Sequence, residues 1–135
     1  MHPAYREQPV LEQLFEDADE QYAKMKTSLA SEEFHAQSEA DVERWLRVEQ
    51  HELMRRLLQS HVRLRGQDRA VAAVVDAAGR EHTHVRPDQS RQLETVFGTV
   101  EVPRTGYAGR HLATLYPVDA SLNLPGHLYS HEVER

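Results

Sequence analysis

The 135-residue chain contains no cysteine. This absence excludes a disulfide scaffold, thiolate zinc sites, iron–sulfur clusters and cysteine nucleophiles together. No run approaches the ~20 apolar residues of a membrane-spanning helix, and Met1–Gln13 carries no basic-then-apolar leader pattern. The expectation is a cytoplasmic protein with no membrane partner. Aromatic residues are scarce at 7%, with one tryptophan, and the mean hydropathy is -0.69. At this length roughly two-thirds of the unfolded surface is buried on folding. One packed core is therefore within reach, with little apolar material to spare.

Lysine is nearly missing as well: all but two of the 16 basic residues are arginine, and both lysines, Lys24 and Lys26, lie early in the chain. The formal net charge of -6 is unevenly spread. Met1–Met54 holds 5 Lys/Arg against 13 Asp/Glu, and Arg55–Arg135 holds 11 Arg against 9 Asp/Glu. A nucleic-acid binder concentrates positive charge on one face. The acidic half argues against DNA binding by the whole surface, and the second half leaves room for a local arginine patch.

Two helices are expected first. Val10, Leu11, Leu14, Phe15, Ala18, Tyr22, Met25 and Leu29 recur at spacings of one, three and four, which predicts an amphipathic helix over Pro9–Ser31. Ser31–Gln37 reads as a break. Ser38, with Asp41 three residues on, is an N-cap signal for a second helix over Glu39–Leu64 that ends near Gly66. That helix would be close to 40 Å long at ~1.5 Å per residue, too long for one small core. It is expected to pair antiparallel with the first helix or to meet another chain.

The character changes at Gln67. A strand is expected over Ala73–Asp76, then a turn at Ala77–Arg80 leading into Glu81–Arg86. Gln92–Phe97, Gly98 and Thr99–Arg104 carry the near-alternation around a glycine that marks a hairpin. Thr105–Arg110 reads as a loop because it holds two glycines, Ala113–Tyr116 as a short strand, and Gly126–Arg135 as the first turn of a further helix. The class expected is α+β: a helical hairpin over 1–66, then a β-hairpin region over 67–135 ending in the start of a helix.

Chemistry-bearing residues are few. His82 and His84 would share one face of a strand, and His127 and His131 one face of a helix. Either pair supplies two imidazoles, but no HExxH or second paired motif accompanies them. They read as surface or hydrogen-bonded histidines, with no metal or cofactor implied. No GxSxG elbow or phosphate-binding GxxxxGK[ST] loop is present. A Ser121/His127/Asp119 set can be assembled on paper, but a chain with nine histidines permits many such sets. The densest basic stretch is Arg55-Arg56, Arg63, Arg65 and Arg69, at a helix end where cations also complement the dipole. Its functional reading is phosphate contact, which positions a protein on a duplex without reading sequence. Arg86, Arg91, Arg104 and Arg110 would extend that surface if the hairpins pack beside the helix end.

Thr95–Tyr107 reads TVFGTVEVPRTGY and Leu115–Arg135 reads LYPVDASLNLPGHLYSHEVER. These segments resemble the N-terminal region of bacterial ISKra-type insertion-sequence transposases, with their T-x-F-G-x-V-x-V-x-R-x-x-Y hairpin, P-x-D-x-x-L-N-L-P motif and L-Y-S-H helix start. Gly79–Arg86 matches an upstream G-R-E-x-T-H-V-R-like strand, so the resemblance spans about Val74–Arg135. It implies a mobile-element protein whose full-length relatives cut and join DNA with a metal-dependent acidic triad in an RNase H-like core. Nothing here matches that triad, so the expectation is a non-catalytic accessory part. In relatives of this broad group the hairpin often continues into a cysteine-bearing zinc element, whereas this chain has Tyr107-Ala108-Gly109-Arg110-His111. The implied partner is DNA at transposon ends, with Arg55, Arg56, Arg63, Arg65, Arg104 and Arg110 as candidate phosphate contacts. The alternative is a module that self-associates through its amphipathic helices and binds no DNA.

Overall fold

The computed structural model describes residues 11–66 and 74–126. Expectations for Arg69, Ala73, His127, His131 and the helix start after Gly126 lie outside the described residues. The chain is α+β, with helices and two small antiparallel sheets. It divides into two compact units, Met1–Ser60 and His61–Arg135.

The first unit is helical: α1 (Leu11–Leu14), α2 (Glu16–Leu29), α3 (Glu32–His35) and the larger part of α4 (Glu39–Arg65). The single first helix expected from periodicity is interrupted at Phe15, whose backbone (φ -104, ψ 12) leaves helical geometry. Leu14, Ala18, Gln21 and Met25 are buried, at the four–three–four spacing of one helix face. Gln21 is a polar member of that face, and its amide donates to the Glu49 backbone carbonyl (3.2 Å) and carboxylate (2.6 Å) on α4. Lys24 meets Glu49 and Arg56 donates to the Asp17 carbonyl, so the two helices meet with opposite chain directions. At 14 residues against 27, α2 is far shorter than α4.

The expected break at Ser31–Gln37 holds a one-turn helix capped by Ser31, which accepts from the Phe34 N–H. Ser38 caps α4 through the Asp41 N–H at 3.2 Å, as its spacing predicts. Phe34 meets Trp45 edge to face, with ring centroids 4.7 Å apart.

In the second unit β1 (Val74–Val75) and β2 (Glu81–His82) form one hairpin. The other sheet has the order β3 (His84–Thr95), β4 (Gly98–Gly109), β5 (Leu112–Leu115). The expected hairpin turns at Val96-Phe97, where Thr95 Oγ1 accepts from the Phe97 N–H and donates to the Gly98 carbonyl. Gly98 sits at φ 113, which only glycine adopts readily. Leu93 faces Val100 and Arg91 faces Val102, so these four side chains share one sheet face. Leu93, Val100 and Val102 are buried there, and Val118 of the one-turn helix α5 (Pro117–Ser121) is buried with them in this unit's core.

Two strand expectations need correction. Glu81–Arg86 is not one strand, because Thr83 separates β2 from β3, and β3 runs on through Pro87 to join the first half of the hairpin. At Pro87-Asp88 the register slips by one residue between Arg86↔Gly106 and Gln89↔Arg104, with Asp88 at φ 58. This bulge and its proline interrupt the open edge of β3, a common protection against edge-to-edge pairing.

Thr105–Gly109, expected as loop, is the second half of β4. A Cβ on Gly106 would lie 2.9 Å from the Tyr116 ring, and one on Gly109 would lie 2.8 Å from Leu112 Cδ1. These glycines permit close packing and do not turn the chain. The turn falls one residue later, at Arg110-His111, where His111 takes φ 59.

Candidate nucleic-acid interface

The candidate arginines fall into separate settings. Arg55 and Arg56 lie together on α4 and both bind Glu52, Arg55 Nη2 at 2.6 Å and Arg56 Nε at 2.9 Å. These hydrogen bonds, Arg55's first, hold the Glu52 carboxyl at about 2, well below its usual range. Arg56 also donates to the Asp17 carbonyl. Both guanidiniums are thus engaged within the fold, and a phosphate would have to compete with Glu52 for them. Arg63 is exposed in the last turn of α4. Arg110 is exposed at the β4–β5 turn and has no ion-pair partner among the described residues.

Arg65 and Arg104 are brought to the same short helix. Arg65 Nη2 donates to the Ser121 carbonyl and hydroxyl, both at 2.9 Å. Arg104 Nη1 donates to Asp119 Oδ2 at 2.7 Å, and its guanidinium stacks on Tyr116 with Cζ 3.6 Å from the ring centroid. Arg91, named in the sequence only as an extension of the patch, joins them. Its Nη1 reaches Asp119 Oδ2 at 3.2 Å and the Pro125 carbonyl at 3.0 Å.

The local reasons are plain. Pro117 starts α5 with its fixed φ, which puts Asp119 and Ser121 one turn on. Strand alternation puts Arg104 two residues beyond Val102, on the sheet face that also carries Arg91. Three guanidiniums therefore converge on a helix that offers one carboxylate. The match is incomplete: Asp119 Oδ2 accepts from both Arg91 and Arg104, while Asp119 Oδ1 and Arg104 Nε are buried with no partner among the described residues. The side chains of Arg91, Arg104 and Asp119 keep 14%, 18% and 23% of their surface exposed, so the group borders solvent.

Of the catalytic and metal arrangements drawn from sequence, those that include His127 or His131 lie outside the described residues. Ser121 Oγ accepts from Arg65 and Asp119 binds arginines. His82 and His84 do not share a face, because the break at Thr83 lets one be buried and the other exposed. His82, 1% exposed, pairs through Nε2 with Asp76 Oδ2 at 2.9 Å, and its Nδ1 is buried with no partner among the described residues. The His82 hydrogen bond is the largest cause holding the Asp76 carboxyl at about 2, followed by the Arg80 N–H. Asp76 Oδ1 also accepts from the Ala78 and Arg80 N–H groups, which makes it the organiser of the β1–β2 turn.

Among the described residues no group of three or more His, Cys, Asp and Glu is placed to hold a metal, and no helix is long and apolar enough to cross a membrane. No protein-family model, curated protein or solved structure matches the chain. The resemblance to ISKra-type transposases stands on its quoted motifs alone.

Proposed function

We propose that the chain is the non-catalytic N-terminal part of an insertion-sequence transposase, working in the cytoplasm in contact with transposon-end DNA. The observation that carries this reading is the convergence of Arg65, Arg91 and Arg104, from three separate elements, on α5. Planar guanidiniums at a solvent border suit phosphate oxygens, and Arg63 and Arg110 add exposed cations in the same compact unit. Contacts of this kind position a duplex and carry no sequence information. The test is fluorescence anisotropy with a short duplex across a salt series. Binding is expected to weaken steeply with salt, with a slope that falls by about one for each phosphate contact removed in Arg65→Ala or Arg104→Ala. A salt-insensitive affinity, or none, defeats the reading.

A second reading, self-association through α4, is favoured by a specific observation. Val42, Leu46 and Leu53 are only half-buried and Leu57 is exposed, although they form one stripe of the helix. Leu57→Glu is then expected to lower the mass measured by light scattering at high protein concentration, with folding unchanged. A monomeric native protein that the substitution does not alter excludes it.

A further inference from the structure

Resting on the reading of Arg91 and Arg104 as phosphate contacts, we propose that Asp119 is an internal stand-in for a DNA phosphate. It occupies the arginine pair in the unbound protein and yields it to a phosphodiester when DNA binds. A carboxylate well matched to a guanidinium uses both oxygens in a two-pronged pair. Asp119 instead loads two arginines on Oδ2 and leaves Oδ1 buried and, among the described residues, without a donor. Unmet buried donors and acceptors are unfavourable, so the pair holds a ligand that fits it poorly.

A phosphodiester spreads its oxygens more widely than a carboxylate. Its two non-bridging oxygens can accept separately from Arg91 Nη1 and Arg104 Nη1 once Asp119 has turned away. The exchange does not require α5 to leave the sheet: Val118 stays buried, and Arg65 holds Ser121 independently of Asp119. Tyr116 keeps the Arg104 guanidinium plane in place during the exchange. Asp119 would thereby lower the affinity for any anion and reserve the site for a polyanion with other contacts to offer.

The experiment compares duplex-DNA dissociation constants of the full chain at one fixed salt concentration for native protein, Asp119→Asn, Arg104→Ala and Glu81→Gln. Glu81 is exposed and serves as the control for net charge. Asp119→Asn keeps the shape of the side chain and is expected to bind roughly tenfold more tightly, with Glu81→Gln changing less than about twofold. If Asp119→Asn gains no more than Glu81→Gln while Arg104→Ala loses binding, the stand-in role is overturned and DNA contact survives. If Arg104→Ala binds as well as the native protein, phosphate contact at this pair fails and the stand-in role fails with it. Should Asp119→Asn not fold, the Arg104 Nε–H resonance of the native protein decides. A shift on DNA titration supports the exchange, and an unmoved signal at saturation overturns it.

Discussion

Gly66→Ala is expected to destabilise the unit His61–Arg135 by about 2 kcal/mol, although alanine is the better helix former. The substitution gains up to ~1 kcal/mol of helix propensity at most, and Gly66 lies just past the last residue of α4, where that gain is smaller. Against this, a Cβ on Gly66 would lie 2.3 Å from the Pro103 carbonyl oxygen and 2.9 Å from Pro103 Cγ. The oxygen belongs to backbone in the long central strand β4, which cannot step aside as a flexible side chain would. Overpacking of this kind costs about 1–3 kcal/mol, and the closeness of the contact puts it at the upper end. In a thermal melt the midpoint should fall by roughly 8–16 °C if this unit unfolds as a small domain. An unchanged or raised midpoint would mean that the end of α4 does not rest on β4.

Gly66 also illustrates what can be read from sequence. It marks the end of α4 correctly, but its φ is not positive, so it does not act as a left-handed cap. It is needed for close approach to a strand more than thirty residues away, a requirement with no local signature. Gly106 and Gly109 misled in the same way, since glycine signals turning and close packing with one letter. Features with a local cause were legible: the Ser38 cap on Asp41, the α4 stripe, and the Thr95–Gly98 turn.

The candidate site was legible only in part. Arg65 and Arg104 were singled out by local charge, yet the group they join is assembled by tertiary structure. Residues 65, 91, 104 and 119 come from four elements, and α5 is too short to leave a periodic pattern. Arg55 and Arg56, the most conspicuous pair in the sequence, are engaged within their own helix, because Glu52 lies three and four residues before them. That spacing was present in the sequence and identifies an intrahelical pair better than a patch.

Val100→Asp should have the larger effect of the two substitutions. Val100 is 1% exposed, faces Leu93 across the hairpin and is followed on its face by Val102, which is 0% exposed. A carboxylate there has no cation directly across the ladder, unlike one at position 102, which would face Arg91. Burying an unpaired charge is among the few single changes that exceed about 4 kcal/mol, close to the whole stability of a small domain. The β3–β4–β5 sheet is therefore expected to be lost outright. The helices before Ser60 have their own buried face in Leu14, Ala18, Gln21 and Met25. Circular dichroism should accordingly retain helical signal while near-ultraviolet bands from Tyr107 and Tyr116 collapse. Simultaneous loss of both signals would mean that the helical unit depends on the sheet. Retention of both would mean that the hairpin face carrying Val100 is not the core of its unit, and the arginine group on that face would lose its structural basis.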